Sequence, residues 1–402
     1  MDTRTSPLAA LIDASLLKTD ALIDGEWLAG SARFDDYNLL GVERRKRAIP
    51  LWSAGAKWDA GNEEFLRNVK WIDRLSARFT YGFSGNAPQG YAPVTTISLL
   101  GSHYLTNYPY AVISTPAVDN LAWEKTRMIN YGIDFSLLKN RVYGTVEYYR
   151  KKTTDIIWQL PINGTYGFTQ TLFNTANLDG KGFDIGINVV PVLTKDFKWT
   201  STVNLSYNTN IVKDIRFDKP TTSFSTENLY DGYPSDYMFS YIWAGLDNTG
   251  QSLIRDPKDK DKVYNVNEFP FENIRTYSGR TASPWFGNFS NAINYKGIEL
   301  NFQFLYTFGG VFRKPSIVST GYTNNTYVGR SGDVAERWRK PGDEAFTNVP
   351  GLEFGAGTNW FQNLGRYTES DFLVRSRSNI RLQQIMLSYS VPGKFLEKAG
   401  AR

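Results

Sequence analysis

Alternation of apolar and polar residues, held over stretches of about ten residues, is the feature that most constrains how this chain can fold. From Ile298 to Phe308 the even positions are apolar, and the odd positions are polar except for Leu305. A period of two residues predicts a β-strand, and about ten residues is the length that a tilted strand needs to cross a bilayer. The pattern recurs in Trp52–Trp58, Leu75–Phe83, Tyr131–Leu137, Val142–Tyr148, Phe183–Val189, Trp199–Tyr207, Trp285–Tyr295 and Ile385–Tyr389.

The connections between these stretches are of two kinds. Lys139-Asn140 and Lys296-Gly297 are tight turns. The segments at about 85–124, 214–236 and 315–369 are long and rich in Asn, Thr, Gly, Asp and Tyr. Short turns at one edge and long loops at the other are typical of outer-membrane barrels.

Tryptophan also brackets the predicted strands. In a membrane barrel such residues form girdles, with the apolar part of the ring in lipid and its polar atom at the headgroups. The residues concerned are Trp52, Trp58, Trp158, Trp199, Trp243 and Trp285. The same aromatic residues could instead fill the dry core of a soluble β-sandwich.

The polar members of the alternation favour the barrel over the sandwich. They are mainly Asn, Thr, Ser and Gln, which suit a wet lumen better than the exposed face of a soluble sheet. Mean hydropathy is −0.38, a modest value that fits a wall with only every second side chain toward lipid. No apolar run reaches about 18 residues, which excludes a transmembrane helix. We therefore predict an all-β fold, an antiparallel transmembrane β-barrel.

Composition excludes several kinds of chemistry. The chain has no cysteine and a single histidine, His103, so neither a thiolate metal site nor a multi-histidine site can form. A net charge of +5 gives no indication of nucleic-acid binding. The basic run Arg44–Arg47 suits a solvated turn facing lipid headgroups, or a phosphate-binding patch. Asp256–Asp261 lacks the glycine and glutamate of a calcium loop, and no carboxylate pair for glycoside hydrolysis stands out. We predict no catalytic, cofactor or metal site, and no enzyme activity.

Aromatic residues in the long loops are candidates for binding sugars or peptides, although packing within the loops is the favoured role for each of them. These candidates are Tyr230, Tyr233, Tyr237, Trp243, Tyr322 and Tyr327. The sequence assigns a substrate contact to none of them.

An ordered series of short motifs resembles the TonB-dependent outer-membrane transporters of the SusC/RagA type. Singly these motifs are weak, but their order over almost the whole chain is specific. They are Trp123–Thr126, Asn130–Phe135, Asn140–Val142, Glu147–Tyr149, Lys152–Asp155, Asn174–Asp184, Gly245–Asp247, Pro284–Phe289, Tyr295–Leu300, Arg337–Asp343, Asp371–Arg375 and Leu387–Pro392.

This resemblance implies a function and a set of partners. It implies a part of a nutrient importer in the outer membrane of a Gram-negative, Bacteroidetes-like bacterium. The implied substrate is an oligosaccharide or a peptide, and the implied lid is a SusD-like surface lipoprotein. Outer-membrane lipid would surround the barrel. Energy would come from the TonB–ExbB–ExbD system through a plug domain.

The resemblance also implies that residues 1–402 are the C-terminal portion of the barrel domain, roughly half of a barrel of about 22 strands. The family's signal peptide, plug domain and final strands are not recognisable in the chain. We therefore expect that these residues alone do not transport. The alternatives are a soluble β-rich carbohydrate-binding protein or glycoside-active enzyme, and a surface adhesin.

Overall fold

The computed structural model describes residues 20–23, 26–36, 48–87, 95–117, 121–168, 170–216, 229–268, 274–317, 331–351 and 360–391. Strands dominate these segments. In chain order they are β1 (Asp20–Ile23), β2 (Glu26–Asp36), β3 (Ala48–Trp58), β4 (Ile72–Asn86), β5 (Thr96–Ser102), β6 (Pro109–Thr115), β7 (Glu124–Leu137), β8 (Val142–Pro161), β9 (Gln170–Leu193), β10 (Phe197–Lys213), β11 (Tyr237–Ser240), β12 (Ile242–Leu246), β13 (Ser252–Arg255), β14 (Val263–Tyr264), β15 (Thr276–Arg280), β16 (Trp285–Tyr295), β17 (Ile298–Phe308), β18 (Val311–Arg313), β19 (Val374–Ser376) and β20 (Asn379–Tyr389).

Helices are few and short in the same segments. The α-helices are α1 (Glu64–Arg67) and α2 (Trp360–Thr368). Single 3-10 turns occur at Ala60–Asn62, Gly164–Tyr166, Gly332–Glu336, Asp343–Ala345 and Asp371–Leu373. None of the helices in the described part of the chain is long and apolar enough to span a membrane.

Eleven of the described strands form one sheet, in the order β1-β2-β3-β4-β7-β8-β9-β10-β16-β17-β20. Every pair from β1 to β10 is antiparallel, and each strand neighbours the preceding and following strands of the sheet along the chain. This up-and-down order confirms the predicted antiparallel wall. The predicted strands Trp285–Tyr295 and Ile298–Phe308 coincide with β16 and β17, and β8 and β9 are longer than predicted.

Because neighbouring strands run in opposite directions, the connections alternate between two edges of the sheet. At the short-turn edge, residues 138–141 join β7 to β8, 194–196 join β9 to β10, and Lys296-Gly297 joins β16 to β17. Lys296 and Gly297 have φ of 48° and 87°, and two positive φ values in a two-residue loop favour a tight hairpin. The other edge, the long-connection edge, carries residues 87–123, 162–169, 214–284 and 309–378. Residues 59–71, which join β3 to β4 at the short-turn edge, are an exception in length; for the other connections the predicted difference between the two edges is confirmed.

Register separates the two faces of the sheet. We call a row of residues that are register partners across neighbouring strands a rung. One rung contains Leu28, Ala56, Phe79, Tyr131, Tyr148, Phe183 and Tyr207. Rungs two residues apart share this face, which we call the apolar face, and the next one aligns Ala77, Ile133, Val146, Ile185 and Leu205. Tyr131 is 51% exposed and Ile133 is 48% exposed. A continuous exposed apolar surface of this kind marks contact with a membrane or another apolar partner.

The opposite face, here called the polar face, has a different composition. Its rungs align Arg78, Gly132, Glu147, Asp184 and Ser206, and beside them Thr80, Asn130, Tyr149, Gly182 and Asn208. The predicted alternation of apolar and polar side chains is therefore the segregation of the two faces of one sheet.

The chain divides into two compact units. The wall unit comprises residues Met1–Arg216, Gly287–Leu305 and Arg381–Arg402, and the loop unit comprises Phe217–Phe286 and Tyr306–Ile380. In the loop unit β11 pairs with β15, β13 lies between β12 and β14, and β18 pairs with β19. These short strands were not predicted by the alternation.

The loop unit has apolar cores of its own. The largest contains Ile317, Val349, Leu364, Tyr367 and Leu373, with Trp243 and Phe372 packed against it. The Trp243 ring makes an edge contact with Tyr367 at 5.5 Å between centroids. The prediction that Trp243 belongs to an interfacial girdle is therefore wrong, whereas Trp52, Trp58 and Trp285 are exposed at strands of the sheet.

Candidate functional site

The polar face carries an ion-pair network that joins three neighbouring strands. Arg78 of β4 places Nε 2.8 Å from Asp134 Oδ2 on β7, and its Nη2 donates to Glu147 Oε1 on β8 at 2.7 Å. Asn130 Nδ2 donates to the other oxygen of Glu147 at 3.3 Å. One guanidinium thus pairs with two carboxylates that β7 and β8 bring to the same face, and the three groups keep a net charge of −1.

Glycines make room for the long side chains of this face. Gly132 is the register partner of Arg78, and a Cβ at Gly132 would lie 3.2 Å from Arg78 Nη2. Gly182 is the register partner of Tyr149, whose hydroxyl occupies the place of a Cβ at Gly182. Each glycine therefore lets the side chain of the neighbouring strand lie across the backbone, as aromatic side chains do over glycine in other sheets.

We expect replacement of Arg78 by methionine to lower the free energy of unfolding of the wall unit by about 1–2 kcal/mol. The reason is that Asp134 and Glu147 would be left as neighbouring carboxylates without a cation between them. The expected loss in unfolding free energy is smaller than for a buried ion pair, because these side chains are about one-third exposed. The measurement is the midpoint of thermal or urea unfolding in detergent.

The control for Arg78→Met is Lys57→Met, one strand away on the same rung. Lys57 makes a single ion pair, with Asp59 at 3.2 Å. The Lys57 and Asp59 side chains are about as exposed as those of the network, so the comparison isolates the number of partners, and a loss below about 1 kcal/mol is expected for a single pair. Equal destabilisation by the two substitutions would contradict the role given to the three-residue network.

A second feature of the polar face is a groove of 250 Å³ across β10, β16, β17 and β20. Its lining includes Thr202, Ser290, Asn301, Gln303 and Gln384. Hydroxyl and amide groups are uncharged and can both donate and accept hydrogen bonds. Such a surface can be wetted and can exchange hydrogen bonds with a polar solute without fixing it by charge.

The loop unit contains a larger cavity, of 560 Å³, which we call the loop cavity. Three arginines line it: Arg337, Arg339 and Arg375. Arg337 donates to the Val334 carbonyl at 2.9 Å, Arg339 to the Ala335 carbonyl at 3.0 Å, and Arg375 to the Phe372 carbonyl at 2.7 Å. A guanidinium has five N–H donors, so these bonds hold the side chains while leaving capacity for a ligand.

Carboxylates fix the walls of the loop cavity. Asp333 accepts hydrogen bonds from Ser316 Oγ at 2.6 Å and from Lys314 Nζ at 3.0 Å. The hydroxyl of Ser316, assisted by the Lys314 ammonium, holds the pKa of Asp333 below its ordinary value. Asp343 accepts from the backbone N–H of Arg339 at 3.0 Å and of Lys340 at 3.1 Å. Asp343 thereby caps two backbone N–H groups of the arginine-bearing segment, and Asp333 ties Ser316 and Lys314 to the cavity wall.

Trp338 anchors the same segment. Its indole N–H donates to Glu344 Oε2 at 3.0 Å, and this bond holds the pKa of Glu344 below its ordinary value. The ring covers Gly250, whose φ is 78°, and leaves no space for a Cβ there. The motif Arg337–Asp343 is therefore a packed and capped loop that presents Arg339 to solvent.

The aromatic candidates of the sequence pack the loop unit. Tyr230 and Tyr237 are buried in one cluster with Phe239, and Tyr233 packs against it. Trp243 donates to Asn348 Oδ1 at 2.8 Å. Tyr322 and Tyr327 lie outside the described residues. None of the four described candidates lines the loop cavity. Its three arginines lie in the motifs Arg337–Asp343 and Asp371–Arg375, but the sequence did not indicate that these two motifs meet at one cavity.

The remaining sequence candidates have local structural roles. Asp256 accepts from the Lys258 backbone N–H at 2.8 Å and from the Tyr264 hydroxyl at 2.9 Å, and these bonds lower its pKa. His103 accepts from the Leu105 N–H and stacks on Tyr104. Within the described segments no cluster of three or more His, Asp or Glu residues could hold a metal ion. The basic run Arg44–Arg47 lies outside the described residues.

Comparison with known proteins identifies relatives of one kind. Residues 23–259 match the family described as "TonB dependent receptor-like, beta-barrel". The TonB-dependent receptor SusC of Bacteroides thetaiotaomicron is 31% identical over 90% of this chain and 35% of its own length. The TonB-dependent receptor P39 of Formosa agariphila is 27% identical over 93% of this chain and 39% of its own length.

Solved structures show the same fold. The RagAB peptide transporter has a TM-score of 0.71 and 22% identity, over 92% of this chain and 40% of the matched chain. The chain thus spans about two-fifths or less of the lengths of the relatives and structures that it matches. The predicted fold class, part of an antiparallel transmembrane β-barrel, is confirmed, as is the predicted resemblance.

Proposed function

From the premise that this chain belongs to the TonB-dependent receptor-like β-barrel family, we propose that it forms part of an outer-membrane nutrient importer. In this proposal the eleven-stranded sheet is a section of the conduit wall. Its apolar face meets lipid, and its polar face lines the path. The nutrient is an oligosaccharide or a peptide, received with a SusD-like surface lipoprotein and moved with energy from TonB.

The separation of the two faces is the observation that carries the proposal. A sheet with exposed aromatic and aliphatic side chains on one face and ion pairs and amides on the other suits lipid on one side and water on the other. A soluble β-rich carbohydrate-binding protein or enzyme would have to cover Phe79, Tyr131 and Ile133, which are all exposed. This exposed surface favours the membrane wall over the soluble alternative.

The loop unit supplies the part of the proposal that concerns substrate. The loop cavity combines arginines with the exposed ring of Phe346 and the half-buried ring of Phe372. Guanidinium groups pair with carboxylates, and aromatic rings stack on sugar or peptide surfaces. We propose that this cavity contacts the nutrient through a negatively charged group.

The first experiment tests import. The gene encoding this chain is deleted from its host, and growth is measured on limiting oligosaccharides and on limiting peptides. Loss of growth on one class, restored by the wild-type gene only when TonB is active, is the expected result. Unchanged growth on both classes, or recovery of the protein in the soluble fraction, would contradict the proposal.

The second experiment tests the loop cavity. We expect Arg339→Gln to raise the nutrient concentration for half-maximal uptake roughly 10-fold, because a hydrogen bond to a charged group contributes about 1.5 kcal/mol or more. The control is Lys340→Gln, an adjacent exposed cation outside the cavity lining. Equal amounts of each variant in the outer membrane are required. An equal increase in this concentration for Arg339→Gln and Lys340→Gln would contradict the proposal that the loop cavity contacts the nutrient.

A further inference from the structure

A group of basic residues lies on the apolar face, toward the long-connection edge. We call it the basic rim, and it consists of Arg127, Arg150, Lys152, Lys181 and Lys213. All five side chains are exposed. They line a groove of 380 Å³ across β7, β8, β9 and β10.

Register places the basic rim on the apolar face. Arg150 is opposite Lys181, and Arg127 is opposite Lys152. These rungs lie two and four residues beyond the rung of Tyr131, Tyr148 and Phe183, a rise of about 7 Å for each step of two residues. On β7, β8 and β9 the charges therefore begin where the exposed aromatic residues end, whereas on β4 the same rungs hold Tyr81 and Phe83. The rungs of Tyr131 and Ile133 lie nearer the short-turn edge than the basic rim does. On β4 and on β7–β10 these two rungs contain no charged residue.

Two electrostatic observations indicate an anionic ligand. Like charges directly opposite each other on neighbouring strands destabilise a sheet, and the basic rim contains two such pairs. The only carboxylate in the groove lining is Asp179, whose ion pair with Lys213 is 3.1 Å long. On the apolar face, the five cations of the basic rim and Asp179 leave an excess of four positive charges, which an anion placed between the strands would neutralise.

The surroundings of the groove favour a lipid headgroup over a free anion. A charged side chain on the lipid face costs about 2–4 kcal/mol at the bilayer midplane and much less near the interface. The basic rim therefore belongs at the headgroup level, with acyl chains along the adjoining rungs of Tyr131, Tyr148 and Ile133. We propose that the basic rim binds the phosphate groups of phosphorylated lipids in the leaflet at the long-connection edge. This inference rests on the membrane location in the proposed function, and not on the nutrient.

The test measures lipid binding to the detergent-purified receptor that contains this chain, by native mass spectrometry. The probes are lipid A, the same lipid with its phosphates removed, and inorganic phosphate. We expect the triple variant Arg150→Gln, Lys152→Gln, Lys181→Gln to bind lipid A on the order of 100-fold more weakly, since each cation near an anionic surface contributes roughly a factor of five. Unfolding by heat in detergent, compared with wild type, shows whether the variant is folded.

The matched control is Lys151→Gln. Lys151 lies between two residues of the basic rim in sequence and is itself in the groove lining. Its ammonium, however, is on the polar face, 5.1 Å from the Tyr149 ring centroid, so the substitution changes a charge that does not face the groove. Lipid A affinity unchanged within about twofold is expected for Lys151→Gln. Lipid A binding by the folded triple variant at wild-type affinity would overturn the proposal. Equal binding of the dephosphorylated lipid, or displacement of lipid A by millimolar phosphate, would also overturn it. Loss of nutrient uptake alone leaves lipid binding intact, so the two proposals fail separately.

Discussion

Replacement of Tyr367 by alanine is expected to lower the free energy of unfolding of the loop unit by about 3–5 kcal/mol. Tyr367 is 1% exposed in the core with Ile317, Leu364 and Leu373. Truncation removes an aromatic ring that also makes an edge contact with Trp243, and the surrounding side chains cannot collapse fully into the space. The effect is measured by hydrogen exchange of peptides from α2, which should lose protection by roughly 100- to 3000-fold.

Two variants separate packing from other causes. Tyr367→Phe keeps the ring and removes only the hydroxyl contact with Ser316 Oγ at 3.1 Å, so a loss of about 1 kcal/mol is expected. Phe346→Ala removes an aromatic ring that is 92% exposed, and a change below about 0.5 kcal/mol is expected. Peptides from β20 residues 381–389, in the wall unit, serve as the internal reference. Similar loss of protection for Phe346→Ala and Tyr367→Ala would contradict the packing explanation.

Strand positions in the wall could be predicted because side-chain direction in a strand has a period of two. β17 and β10 alternate over most of their length, each with one exception (Leu305 and Ser201), which is long enough for the pattern to be recognised. β2 does not, because Gly30 and Ala32 occupy its apolar-face positions between Leu28 and Phe34. Small residues remove the contrast in hydropathy on which the prediction depends, although the backbone pairs with β3 over its full length.

The loop unit could not be predicted for a different reason. β11 has only four residues, all buried, so no alternation exists to be read. The loop cavity brings Lys314, Asp333 and Arg375 together through contacts distant in sequence. The covering of Gly250 by Trp338 is likewise a packing event between residues 88 positions apart, as their sequence numbers show. Motif residues could be recognised from sequence, but not the contacts that make them necessary.

Glycine in the wall gives the second large effect that we expect. Gly144→Ala should lower the free energy of unfolding of the wall unit by about 3 kcal/mol, the upper end of the range for overpacking. A Cβ at Gly144 of β8 would collide with the backbone carbonyl oxygen of Gly186 on β9. A side-chain neighbour could change rotamer, but this carbonyl can move only if the β8–β9 ladder moves with it. Urea unfolding in detergent measures the loss.

Gly180→Ala is the matched control, because Gly180 lies on β9 of the same sheet and has ordinary space for a Cβ. The nearest atoms would be Thr209 O at 3.6 Å and Lys151 Cβ at 3.7 Å. Alanine restricts the unfolded chain more than glycine does, so Gly180→Ala should stabilise the wall by about 0.4–1 kcal/mol. Opposite signs for two Gly→Ala changes in adjacent strands would show that close approach of the β8 and β9 backbones determines the effect. Destabilisation of both by the same amount would instead indicate a general intolerance of the sheet to added methyl groups.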